Sequence, residues 1–248
     1  MSNRIASKLL AEFIGTFALI FIGAGAGAVV GDGVGLPGLI AIAFAHGLTV
    51  MAFAFAYGSV SGGHFNPSVT VGVLAAGAMG TGEAIGYIVS QLVGGVAGAL
   101  FLSAVLGGTA TGLGTPALAH NLALGATSLT ITPAAGFMIE AVLAFFLVTV
   151  VLSTAVAGRA GNLAPLAIGM TLTLNIIMGG ALTGAAFNPA RALGPMVATG
   201  NFNDAWLYLS APIVGAIVAA LLHTGLTRLA QEGMAAAEPS RAAQTPAE

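Results

Sequence analysis

The chain has 248 residues, of which only fourteen are charged: six Lys or Arg and eight Asp or Glu. That 6% is about a quarter of the ~25% found in soluble domains, so a water-exposed surface is excluded. A net charge of −2 without a basic cluster excludes nucleic acid as a partner, and the lack of cysteine excludes disulfides and thiolate metal sites.

Hydrophobic residues supply 57% of the chain, and 37 glycines are scattered through the apolar runs. Small residues let membrane helices approach closely, because packing drives their association in lipid. The fold class read from this composition is an all-α membrane protein. A hydrocarbon core about 30 Å thick needs about 20 apolar residues of helix. Six stretches reach that length: 9–30, 39–60, 84–106, 134–157, 163–182 and 205–227. The first follows Arg4 and Lys8 as a secretory signal would, but it is too long and Glu12 interrupts it, so it reads as an uncleaved span. With both termini cytoplasmic, Arg4, Lys8, Arg159, Arg228 and Arg241 all fall on the cytoplasmic side, as the positive-inside rule requires. Residues 1–8 then form a short cytoplasmic N-terminus and 9–230 the membrane domain. Residues 231–248, rich in Ala, Pro and Glu, read as a disordered cytoplasmic tail.

Two apolar segments, 60–78 and 184–199, are too short to cross, and each holds an Asn-Pro step. Asn is a favoured helix N-cap and Pro a favoured first helical residue, so Asn66-Pro67 and Asn188-Pro189 each start a helix of about ten residues. Irregular backbone before such half-helices must be buried in protein or line an aqueous cavity. The halves repeat, about 9–107 and 133–230. Glu12 in its first-span setting echoes Glu140 in the fourth, and His64-Phe65-Asn66-Pro67-Ser68 echoes Ala186-Phe187-Asn188-Pro189-Ala190. Three spans are an odd number, so the second copy is inverted and the half-helices meet N-terminus to N-terminus. Two Asn amides and two positive dipole ends then stand at the membrane centre.

These paired boxes, with Ser61-Gly62-Gly63 ahead of the first and Arg191 after the second, resemble the aquaporin (major intrinsic protein) family over about residues 5–228. Ser68 departs from the family's Asn-Pro-Ala box. The resemblance implies a homotetramer with one pore per subunit. It implies an Asn-Pro-Ala constriction built by Asn66, Pro67, Ser68, Asn188, Pro189 and Ala190. It also implies a ladder of acceptor carbonyls from Gly62, Gly63, His64, Phe65, Gly184, Ala185 and Ala186. The family's selectivity filter maps without gaps onto His46, twenty residues before Asn66, and onto Ile176, Ala185 and Arg191. That set is most similar to the plant tonoplast intrinsic proteins, several of which pass ammonia, urea or hydrogen peroxide with water. Glycerol facilitators typically carry Trp, Gly and Phe beside the Arg and an Asp after it; here Ala192 follows.

The polar residues admit more than one use. Glu12 and Glu140 serve either as proton or cation sites or as acceptors for backbone N–H groups freed by the broken segments, and their matched repeat positions favour the second. If Asn66 and Asn188 cap their helices through oxygen, their NH₂ groups face the lumen and bind a passing water. His64 reads as a vestibule residue rather than a metal ligand. Arg191 reads as a filter cation rather than half of an ion pair, having no acid near in sequence. His120, in the 108–132 loop, is either an ordinary loop residue or part of the outer mouth. Protonation of His46 or His120 would make conductance depend on pH around 6–7. Gly94 and Gly98, with Gly15, Gly23, Gly86, Gly169 and Gly215, read as close-approach points, and Trp206 and Tyr208 as an interfacial aromatic belt.

The expected function is a passive channel for water, with small neutral solutes, that excludes ions and protons and needs no cofactor or metal. A glycerol-type facilitator and an ion-coupled carrier are the competing readings. A carrier needs ion-coordinating groups at the midplane, which the sequence offers only in the two glutamates. No zinc-protease or Gly-x-Ser-x-Gly motif points to an enzyme. The expected site is the cell membrane, with lipid as a partner.

Overall fold

The computed structural model describes residues 2–31 and 35–242. Asp32 and positions 243–248, the end of the expected tail, lie outside the described residues. Helix α1 (Ser2–Ala18), a π-helical segment (Leu19–Ala24) and α2 (Gly25–Val30) run on as one first span. Then come α3 (Gly35–Ser61), the half-helix α4 (Pro67–Ala75), α5 (Thr81–Val105), α6 (Pro133–Val151) with a π segment (Leu152–Val156), α7 (Ala164–Thr183), the half-helix α8 (Pro189–Thr199) and α9 (Ala205–Ala242). Six helices among the described residues are long and apolar enough to cross a membrane. The 108–132 loop folds in part into a small antiparallel hairpin, Leu122–Leu124 against Thr127–Leu129.

Each Asn-Pro step starts a helix, as expected. Asn66 and Asn188 are extended at φ −158° and −152°, and each side chain accepts from backbone N–H groups of the helix it opens. The half-helices have 9 and 11 residues, or about 14 and 17 Å at ~1.5 Å per residue, roughly half a bilayer core. The helices before them stop at matching residues. Tyr87 donates its hydroxyl to the Ser61 carbonyl at 2.7 Å, and Tyr208 donates to the Thr183 carbonyl at 2.8 Å.

Packing follows the internal two-fold of an inverted repeat. α1 lies on α5 as α6 lies on α9; α4 lies on α9 as α8 lies on α5; and α3 pairs with α7 across the axis. Glycine makes these approaches possible. A Cβ at Gly94 or Gly98 of α5 would stand 2.5 or 2.8 Å from the carbonyl oxygens of Phe13 and Phe17. At Gly169 of α7 it would stand 2.6 Å from the Gly47 carbonyl of α3.

Two expectations change. Tyr208 is not a belt residue: it is fully buried, because its hydroxyl terminates α7, while exposed Trp206 stacks on Phe137. The chain beyond 231 does not lose structure at once; α9 continues to Ala242 through a stretch whose alanines favour helix.

Candidate functional site

Two irregular loops, residues 62–66 and 184–188, lead into the half-helices and meet inside the bundle. Positive φ angles turn them: Gly62 +90°, Gly63 +66° and Phe65 +48° in the first, Gly184 +77°, Ala185 +42° and Phe187 +29° in the second. Such backbone leaves its polar groups unpaired unless something reaches them.

The two buried glutamates do this. Glu12 Oε1 accepts from Ser61 Oγ (2.6 Å) and the His64 N–H (3.0 Å), and Oε2 accepts from the Phe65 N–H (2.7 Å) and Gln91 Nε2 (2.7 Å). Glu140 Oε1 accepts from Thr183 Oγ1 (2.6 Å) and the Ala186 N–H (3.0 Å), and Oε2 accepts from the Phe187 N–H (2.5 Å). The hydroxyls pass the bracing on: Gly63 N–H donates to Ser61 Oγ and Ala185 N–H to Thr183 Oγ1. With the N–H groups held toward the glutamates, the carbonyls are left for the other side. Among the described residues, none donates a hydrogen bond to the carbonyls of Gly62, Gly63, His64, Gly184, Ala185 or Ala186.

Phe65 differs from its expected place in that ladder. Its carbonyl accepts from Asn188 Nδ2 at 2.9 Å, as the Phe187 carbonyl accepts from Asn66 Nδ2 at 3.1 Å. The Asn amides are therefore not wholly free. Each uses one N–H to tie the opposite loop and keeps one. Ser68, with Pro67, Pro189 and Ala190 also buried in the two boxes, places its hydroxyl 2.8 Å from Asn66 Oδ1 and 3.1 Å from the Phe187 carbonyl.

Beside this junction lies a narrow cavity of about 20 Å³, lined by Val50, Leu172, Asn188 and the first loop, His64 included. A water needs about 10–15 Å³ by this kind of measure, so the cavity holds about one abreast. A larger pocket of about 670 Å³ lies next to it, with Gly62 and Ile168 in the lining of both.

The four residues expected to form the filter are all buried. Ile176 and Ala185 join one apolar cluster with Phe187. His46 Nδ1 lies 2.9 Å from the Ile42 carbonyl, which only accepts, so in the neutral ring Nδ1 carries the proton and Nε2 is a bare acceptor. The Arg191 guanidinium is close enough to act electrostatically on that ring. Arg191 forms no ion pair among the described residues; Nη1 donates to the Gly114 carbonyl at 2.7 Å. His46 Nε2 and Arg191 Nε are both buried without a partner. His120 is exposed in the 108–132 loop, and the residue of that loop that reaches Arg191 is Gly114. No group of three or more His, Asp or Glu residues among the described residues is placed to hold a metal, and His64 Nδ1 lies 3.1 Å from Thr70 Oγ1.

The model of one family, described as major intrinsic protein, matches residues 1–223. The chain belongs to that family. Among its relatives, a probable aquaporin TIP1-2 of Oryza sativa subsp. japonica is 37% identical over 226 residues, covering 88% of this chain and 85% of that one. Aquaporin Z of Brucella melitensis is 38% identical, with 89% and 97% covered, and the glycerol uptake facilitator protein-like 6 of Lactiplantibacillus plantarum is 39% identical, with 86% and 94% covered. The aquaglyceroporin structure from Plasmodium falciparum shares the fold, at a TM-score of 0.74 and 23% identity, covering 89% of this chain and 96% of that one. This major intrinsic protein is thus an integral, multi-pass membrane channel and not an enzyme.

Sequence reading missed four functional supports of the major intrinsic protein: Ser61, Thr183, Tyr87 and Tyr208. The signal was available. Ser61 and Thr183 stand five residues before their Asn, and both tyrosines stand twenty or twenty-one after it. Gln91, which has no such partner in the second half, offered no comparable sign.

Proposed function

We propose that this protein is a passive channel for water that also passes ammonia, urea and hydrogen peroxide and excludes ions and protons. The observation that carries the reading is the loop junction: two Asn amides, each with one N–H to spare, between two runs of unpartnered carbonyls. A water there accepts from the amides through its oxygen, and its hydrogens point along the pore to neighbouring waters. Waters on either side orient oppositely and donate to the carbonyls, so no continuous proton wire passes the centre. The N-terminal ends of α4 and α8 add positive potential at the same point, against cations and protons.

Selectivity among neutral solutes rests with His46, Ile176, Ala185 and Arg191. A bare acceptor on His46 and a donor on Arg191 suit small molecules that both donate and accept, such as ammonia and urea. Ile176 and Ala185 supply no aromatic wall for a three-carbon chain. We further propose a homotetramer in the cell membrane with both termini cytoplasmic, on the strength of the family resemblance and the placement of Arg4, Lys8, Arg159 and Arg228.

Stopped-flow light scattering on proteoliposomes tests this, with water and then each solute. High water flux with low activation energy and no ion gradient, plus flux of at least one of ammonia, urea or hydrogen peroxide, is expected. Flux of glycerol above that of these solutes would select the facilitator reading, and flux that needs an ion gradient would select a carrier.

A further inference from the structure

A groove of about 410 Å³ opens between the end of α6, with its π segment, and residues 219–231 of α9, where the sixth span ends, on the face of the molecule that also carries Arg4 and Lys8. It is separate from the pore, and its chemistry is unlike that of an ordinary lipid-facing crevice. One wall is apolar, with Leu222 and Leu226 of α9 about half exposed. The other wall includes Thr149 of α6 and Ser153 of the π segment that follows it, one helical turn apart. Arg159, just past the end of the fourth span, and His223 complete the mouth.

Two of these groups lack what their neighbours have. Thr154, Thr171, Thr173 and Thr224 each donate to the carbonyl four residues earlier, the usual recourse of a helical threonine. Thr149 does not: its Oγ1 is buried with no hydrogen-bond partner. A buried hydroxyl left so is costly, and an acceptor in the groove would relieve it. Arg159 is exposed and forms no ion pair among the described residues, whereas Lys8 and Arg228 pair with Glu83 and Glu232.

We propose that this groove binds a phospholipid with an anionic headgroup, its phosphate at Arg159 and His223, an ester carbonyl accepting from Thr149 or Ser153, and an acyl chain along Leu222 and Leu226. The depths agree. Arg159 stands at the end of a span, where headgroups lie, and Thr149 sits about two turns deeper along α6. Basic pockets between membrane helices at this level attract anionic headgroups, and the apolar wall calls for a chain that a free phosphate lacks. The occupant would rest on a helix whose opposite face, at Leu147 and Val151, lines the pore cavity.

Native mass spectrometry of the whole protein in neutral detergent tests this, counting lipids bound per subunit. The probes are dioleoyl phosphatidylglycerol, phosphatidylcholine of the same chains, and glycerol 1-phosphate. Phosphatidylglycerol is expected to bind about fivefold more tightly than phosphatidylcholine, the pull of one basic residue at an anionic surface. Arg159→Gln should erase that preference, and Arg4→Gln, which removes the same charge elsewhere on the same face, should leave it. Thr149→Val should weaken both lipids alike. Equal binding of the two lipids, equal effects of Arg159→Gln and Arg4→Gln, or glycerol 1-phosphate binding as tightly as the lipid would each overturn the proposal.

Discussion

Asn66 and Asn188 hold each other's loop: each amide donates to the carbonyl of the residue that precedes the other, at 3.1 and 2.9 Å, while its own oxygen caps its own helix. Either residue changed to Asp keeps the cap and loses the tie, because a carboxylate has no N–H to give and faces the Phe65 or Phe187 carbonyl as a second acceptor. Asn188→Asp is therefore expected to fold, with stability lowered by about 1–3 kcal/mol, the cost of an unpaired buried group. Its new negative charge also offsets the positive helix ends, so proteoliposomes loaded with a pH-sensitive dye should show a proton or cation leak absent from the parent protein.

The glutamates differ in how much each supports. Glu12 accepts four bonds, two at each oxygen, and Glu140 three, so among the described residues no donor shares its Oε2 with the Phe187 N–H. Replacement by Gln turns one oxygen into a donor facing donors. Glu12→Gln must displace two partners and Glu140→Gln only one, at about 1–3 kcal/mol per group left unsatisfied. Folded yield after detergent extraction should fall for both and further for Glu12→Gln, with selectivity per folded channel unchanged. A fully folded Glu140→Gln that conducts cations would show that the carboxylate guards the pore rather than braces the loop.

The spans and both half-helices were legible because bilayer thickness and N-cap chemistry act locally: an apolar run of given length, or Asn-Pro, means the same wherever it stands. The positions of Asn66, Asn188, Glu12 and Glu140 were legible through the repeat. What escaped were contacts set by folding at a distance. Tyr208 looks like a belt residue because it neighbours Trp206, and only the packing of α9 against the end of α7 shows its hydroxyl reaching the Thr183 carbonyl. Likewise, no spacing links Gly114 to Arg191, 77 residues apart, although that carbonyl receives the guanidinium. The π segments leave no signature in composition.

Helix packing yields a sharper test, because α5 contains its own control. Gly94 would place a Cβ 2.5 Å from the Phe13 carbonyl oxygen, a backbone atom that cannot swing aside, whereas a Cβ at Gly82 meets nothing within 4 Å. Gly94→Ala should force α1 and α5 apart and cost about 1–3 kcal/mol, as overpacking does. Gly82→Ala should be neutral or stabilising by up to about 1 kcal/mol, since alanine loses less freedom in a helix. Thermal denaturation of the two variants in the same detergent checks both signs. Equal losses would mean that α1 and α5 do not pack as described.

His46 on α3 holds a buried, unpartnered acceptor, and Ile176 on α7 offers none. Substituting His46→Phe and Ile176→His together moves the acceptor to the opposite helix and puts an aromatic ring where the imidazole stands. Both sites are buried between α3 and α7, and Gly23 gives the His46 ring its room, a Cβ there standing 2.6 Å from the imidazole. The double variant should keep water flux within about threefold, a barrier change under 1 kcal/mol, and lose at least about tenfold in urea and ammonia flux, or about 1.4 kcal/mol. Arg191→Val, by contrast, removes the only cation at this depth among the described residues and should admit protons while raising solute flux. Unaltered solute ratios in the double variant would place the constriction elsewhere along the pore, and unaltered proton exclusion in Arg191→Val would leave the barrier to the Asn pair alone.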